Sequence, residues 1–116
     1  MDVPTQSPTE PLDVAVIRAI AALLDQASSA GIRAQRQTGS HAEAMLGAEA
    51  LALCYDAVAL LPDRLFPDAA PPPSGRSAVS LVQEAQRLST MLPVEQLPPG
   101  MAHLIASLHA TVGDYS

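Results

Sequence analysis

Proline has no backbone N–H to donate and its ring clashes with the preceding turn of a helix, so prolines mark where a helix cannot continue. All 11 in this chain stand at positions 4, 8, 11, 62, 67, 71, 72, 73, 93, 98 and 99, leaving 12–61, 74–92 and 100–116 free of them. Apolar residues recur at helical spacing in each free stretch, and none shows strand-like alternation. The prolines and the periodicity are independent signals, and together they predict an all-α fold.

The first stretch is long enough for two helices. Ser7 to Glu10, S-P-T-E, has the form of a capping box with proline at the first helical position. Leu12, Val16, Ile17, Ile20, Leu23, Leu24, Ala27, Ala30 and Ala34 then make an apolar stripe opposite Arg18, Asp25, Ser29, Arg33 and Arg36. Gly31 is a point at which this helix is expected to bend or stop early. The short linker Gln37 to Gly39 makes the first two helices antiparallel neighbours. A second capping box, Ser40 with Glu43, opens a long helix that ends at Pro62. Leu46, Ala50, Leu53, Ala57, Leu60 and Leu61 fall on one side of it, and Gly47, Leu51, Cys54, Tyr55 and Val58 extend the apolar arc past half the circumference. At least two helices are needed to cover such an arc, and Gly47, Ala50, Cys54 and Ala57 would let one approach closely. Met45, Ala48, Glu49, Ala52, Asp56, Ala59 and Asp63 form the remaining strip, with its three carboxylates seven residues apart.

A proline-rich connection, 62–76, follows. Leu65 and Phe66 are apolar enough to tuck back onto the bundle, and Pro71 to Pro73 read as a stiff spacer. The third helix is expected from Ser77 to Leu92, with Ala78, Leu81, Val82, Ala85, Leu88 and Leu92 inward. Met101, Leu104, Ile105, Leu108 and Val112 give the stripe of the last helix, and Gly113 its stop. The expected architecture is a four-helix up-and-down bundle. It forms one domain, 10–116, after a lead-in of 1–9, with the second helix at its centre and a long Pro-rich connection between helices 2 and 3.

Charge narrows the functions open to such a bundle. A net charge of −6 disfavours nucleic acid, whose phosphates need a concentrated basic surface, and equally an anionic membrane. Ala42 to Leu61 has the length of a membrane span, but Glu49 and Asp56 near its middle would each cost about 3 kcal/mol there. The opening M-D-V-P-T lacks the basic and apolar regions of a signal peptide, so a cytoplasmic protein is expected. All positive charges are arginine, and alanine and proline are abundant, the usage of a GC-rich bacterial genome. Cys54 is the single cysteine and lies in the most apolar stretch, where it reads as an inert core thiol.

Catalytic and metal-binding patterns are scarce. His103 and His109 project about 120° apart on a helix and cannot chelate together, and no E-x-x-H pair supports a di-iron bundle. No metal, cofactor or phosphate loop is expected. Arg36 and His41 stand in R-Q-T-G-S-H, an R-x-x-x-x-H spacing that resembles the short motif of the HEPN ribonucleases over six residues. The resemblance implies RNA cleavage by those two residues. The run straddles a loop and a helix cap and has glycine in its middle.

The residues that this reading singles out for a ligand or interface are Glu49, Tyr55, Asp56, Leu65 and Phe66, with Arg18, Arg36 and Arg87 as the arginines that could neutralise covered carboxylates. The function expected first is a non-catalytic interaction or regulatory protein acting as a homodimer or on a protein partner. An alternative is a bundle that binds or transforms a small molecule in a pocket under the 62–76 connection.

Overall fold

The computed structural model describes residues 11–67, 76–93, 95 and 97–115, and among these the chain is all-α, with four helices. They are α1 (Leu12–Thr38), α2 (His41–Ala59), α3 (Ala78–Ser89) and α4 (Met101–Tyr115). The Ser7–Glu10 capping box and Pro71 to Pro73 lie outside the described residues.

α1 does not break at Gly31. It runs on to Thr38 and stops at Gly39, whose φ of 71° is the left-handed geometry that glycine adopts without cost, with its N–H on the Gln35 carbonyl. Gly31 is buried at the crossing of α1 and α2: a Cβ there would lie 2.6 Å from the Glu43 carbonyl oxygen and 2.9 Å from Gly47 Cα. Gly47 answers it, since its own Cβ would lie 3.1 Å from the Ser28 carbonyl oxygen. The two backbones meet where neither has a side chain. Farther along the same contact, the Cys54 thiol donates to the Ala21 carbonyl at 3.4 Å. These pairs place the two helices antiparallel, and Gly47, Ala50, Cys54 and Ala57 are all buried.

The cap of α2 takes half of the expected form. Ser40 Oγ accepts from the Glu43 N–H at 3.3 Å, but the Ser40 N–H donates to Thr38 Oγ1 at 3.2 Å. Thr38 thereby does the work expected of the Glu43 carboxylate. α2 ends at Ala59, three residues short of Pro62, and its last turn tightens as Leu60 and Leu61 donate to the Ala57 and Val58 carbonyls. α4 continues through Gly113 to Tyr115.

Packing is most extensive around α1, which lies against both α2 and α3, rather than around α2. Its 27 residues present Val16, Ile17, Ile20, Leu24 and Ala27 to the core, with Leu81, Val82, Leu104 and Leu108 contributed by the later helices. By length and composition alone α1 could cross a membrane, with a mean hydropathy of 1.3 over 18 residues, a property that a core helix shares. Beyond α1, α2 packs mainly against α4, and the two run antiparallel: Glu49 meets Tyr115 at one end and Leu60 meets Gly100 at the other. α3 starts beside Ala30, Arg33, Ser40 and Glu43, so α2 and α3 begin at the same end of the bundle. α2 and α3 therefore run in the same direction, without the strict alternation expected of an up-and-down bundle, and the connection between them joins opposite ends of the molecule.

Candidate functional site

α2 uses one side for the core and leaves the other bare. Leu51 and Tyr55, expected within the covered arc, are 37% and 56% exposed, because α1 and α4 occupy the opposite half of the helix. Met45, Ala48, Ala52, Tyr55 and Ala59 are all exposed. Their spacings of three and four alternate, so they fall in one row along the helix, the spacing of a coiled-coil seam. Glu49 and Asp56 border this row on the side of α4, and both are exposed. Leu65 and Phe66, in the turn that follows the helix, add two further exposed apolar side chains. The Phe66 ring meets Tyr55 edge-on, with centroids 4.7 Å apart and planes at 80°, and remains 45% exposed, while Leu65 is 62% exposed. Phe66 thus returns to the bundle as expected, but onto its outer surface.

The turn that carries Leu65 and Phe66 is pinned by charge. Asp63 accepts from Arg18 at 3.1 Å and from the Leu65 N–H at 3.2 Å. The Leu65 N–H first, and then the guanidinium, hold its carboxyl below the ordinary aspartate range. Arg64 sits at φ 52°, the left-handed region, inside this turn. Arg18 is therefore a brace for the turn.

Between α2 and α4 runs a shallow groove of about 280 Å³, lined by Glu49, Ala52, Leu53, Ser107, Ala110, Thr111 and Asp114. At one end the Tyr115 phenol is pushed above its ordinary range, by burial first and then by the Glu49 carboxylate to which it donates, with Asp114 adding to the effect. The α4 wall is a feature the sequence reading missed. Its signal was present in Ser107, Ala110, Thr111 and Asp114, small or polar residues at helical spacing beside the apolar stripe of the helix.

A larger cleft of about 640 Å³ opens where the starts of α2 and α3 meet the last turns of α1, with Arg33, Thr38, Ser40, Glu43, Arg76 and Ser77 on its walls. Both signs of charge face it. Arg76 is bound to Glu84 at 2.6 Å and to Ser80 Oγ at 3.2 Å, Glu43 brings a carboxylate, and the carbonyl end of α1 opposes the two helix starts. These features balance rather than select an anion.

The remaining candidates disperse. Arg87 is 74% exposed and 3.9 Å from Glu84 on its own helix. Arg36 is exposed in the last turn of α1 and His41 exposed at the first position of α2, on either side of the Gly39 turn. His109 pairs with Gln86 across α3 and α4. Burial, and secondarily the Asp25 charge, push the Cys54 thiol up to about 11. Among the described residues no group of three or more His, Cys, Asp or Glu side chains could hold a metal ion. The structure thus brings Tyr55 and Phe66 into contact on the exposed side of α2, with Glu49 and Asp56 along its edge and Leu65 exposed in the adjoining turn; Arg18 reaches that turn through Asp63, and Arg36 and Arg87 stand elsewhere. Compared with protein-family models, curated proteins and solved structures, the chain matches none.

Proposed function

We propose that the protein is a small, non-catalytic helical interaction protein of the bacterial cytoplasm that works through the outer face of α2. One observation carries this reading: Met45, Ala48, Ala52, Tyr55 and Ala59 form an exposed apolar row at coiled-coil spacing. A helix that packs only inward ordinarily shows polar residues along that line. Leaving such a row in water forgoes the stabilisation that burial gives, and a contiguous apolar patch of this kind marks a protein contact. The rival reading, a small-molecule site under the Leu65–Phe66 turn, has less support, because the larger cleft opens at the far end of α2 and that turn faces outward.

A photo-crosslinking residue in place of Ala52 tests the proposal in producing cells. The expected result is a discrete adduct, with this chain or another protein, that disappears when Tyr55→Asp is added while the helical circular dichroism is unchanged. The same probe at exposed Ser29 of α1 is the control. An Ala52 adduct no stronger than that at Ser29 would remove the face from consideration.

A further inference from the structure

The charges around the exposed row decide what kind of partner fits it. Resting on the interaction reading above, we infer that the occupant of this face is an amphipathic helix of another protein, with an apolar stripe and basic residues along its edge.

Length comes first. Met45 to Ala59 spans about 21 Å, four helical turns, at 1.5 Å per residue. The small side chains of Ala48, Ala52 and Ala59 let a partner backbone come close, and Tyr55 with Phe66 forms a bulky stop towards one end. A partner helix of four turns matches that row.

Charge then chooses among occupants. Glu49 and Asp56 lie seven residues apart on one edge, and Asp114 stands with Glu49 on the wall of the groove towards α4. Among the described residues no arginine lines that groove. In a pairing of two copies through this row, antiparallel helices would set the carboxylates of Glu49 and Asp56 against those of the other copy. Parallel helices would set them against the edge that carries Leu51, an apolar side chain that leaves the charges unpaired. None of the chain's six arginines stands on α2 beside these carboxylates: Arg18 binds Asp63, Arg76 and Arg87 face Glu84, Arg33 and Arg36 lie in the last turns of α1, and Arg64 lies in the turn beyond the end of α2. Lysines or arginines flanking the apolar stripe of a foreign helix would meet Glu49, Asp56 and Asp114 together. Contacts at such a rim set orientation and partner choice, while the apolar row provides the burial.

The probe is a fluorescein-labelled 21-residue peptide with leucine at the two seam positions of each heptad and lysine at the two flanking positions. Its twin carries glutamate in place of lysine. Anisotropy with the full chain is expected to show saturable binding of the lysine peptide, weakened by added salt, and none of the glutamate peptide. Neutralising Glu49→Gln with Asp56→Asn should weaken binding roughly fivefold or more, and Ala52→Gln should weaken it through bulk alone. Glu95→Gln, exposed on the α3–α4 connection, should leave it unchanged. Equal binding of both peptides, or indifference to the double neutralisation, overturns the inference. So does a failure of the lysine peptide to bind. If light scattering at tens of micromolar shows a dimer that Tyr55→Asp dissolves, the occupant is a second copy: the basic partner falls and the interaction reading stands. If the Ala52 probe also captures nothing, both fall.

Discussion

A thiol with no base beside it ionises only by bringing charge into its surroundings, and Cys54 has both a fully buried sulfur and the Asp25 carboxylate to oppose that. Its folded pKa of about 11 lies above the ordinary thiol value of 9.0. Below pH 9 both folded and unfolded chains hold the proton, so Cys54 adds no pH dependence there. From about 9 to 11 the unfolded chain releases the proton and the folded one keeps it, so stability falls as pH rises, by about 2–3 kcal/mol in all. Chemical denaturation between pH 8 and 11 should therefore show a steeper loss for the parent than for Cys54→Ala. At pH 8 the native thiol should resist a disulfide reagent that labels it at once in denaturant. A native thiol labelled at the denatured rate would mean that Cys54 is not closed off. Its burial was legible in the sequence from its apolar neighbours, whereas the Ala21 carbonyl that accepts its hydrogen bond depends on the angle at which two helices cross.

At the level of the helices, the start of α2 could be read from Ser40 and the small face from Gly47, Ala50, Cys54 and Ala57, because capping and side-chain size act locally. Gly31 could not be read that way. Its low helix propensity suggested a bend, yet the residue is there for the partner backbone. A methyl group at 31 would press against the Glu43 carbonyl and Gly47 Cα, backbone atoms that cannot rotate away, and Gly31→Ala should cost about 2–3 kcal/mol. Gly39 offers the opposite case: nothing lies within 4 Å of its Cβ position, so Gly39→Ala should cost only about 1 kcal/mol for the left-handed backbone. Urea unfolding of the two variants checks the order, and a Gly31→Ala chain as stable as the Gly39→Ala chain would rule out so close a crossing. The same limit applies to the exposed row on α2. Its apolar content was visible, but sequence periodicity alone made Leu51 and Tyr55 part of a covered arc, since only the positions of α1 and α4 decide which half of that arc is covered.

The arrangement of the whole molecule turns on the connection that was legible only as a long, proline-rich interruption. Its length has a geometric reason once α2 and α3 start at the same end. The 19 residues of α2 rise about 28 Å, and the chain must recover that distance before Ser77. Part of the connection is spent in the turn at 61–64, where the Arg64 N–H donates to the Leu61 carbonyl at 3.3 Å. From Arg64 the intact chain can reach about 44 Å to Ser77 at 3.4 Å per residue, which is ample. Deleting 68–75 leaves five such steps, about 17 Å, which is too short. The deletion should therefore prevent α3 from seating beside the start of α2 in its own chain. Two results are compatible with that geometry: loss of cooperative thermal unfolding, or exchange of α3 and α4 between two chains, seen as a higher oligomer with parental helicity. Replacing Pro71, Pro72 and Pro73 with serine at constant length should instead change stability by about 1 kcal/mol or less, since the span is kept and only chain stiffness is altered. A deletion variant with the parent's oligomeric state and the parent's unfolding transition would show that the chain does not have to travel back along α2, and that α3 starts at the other end of the bundle.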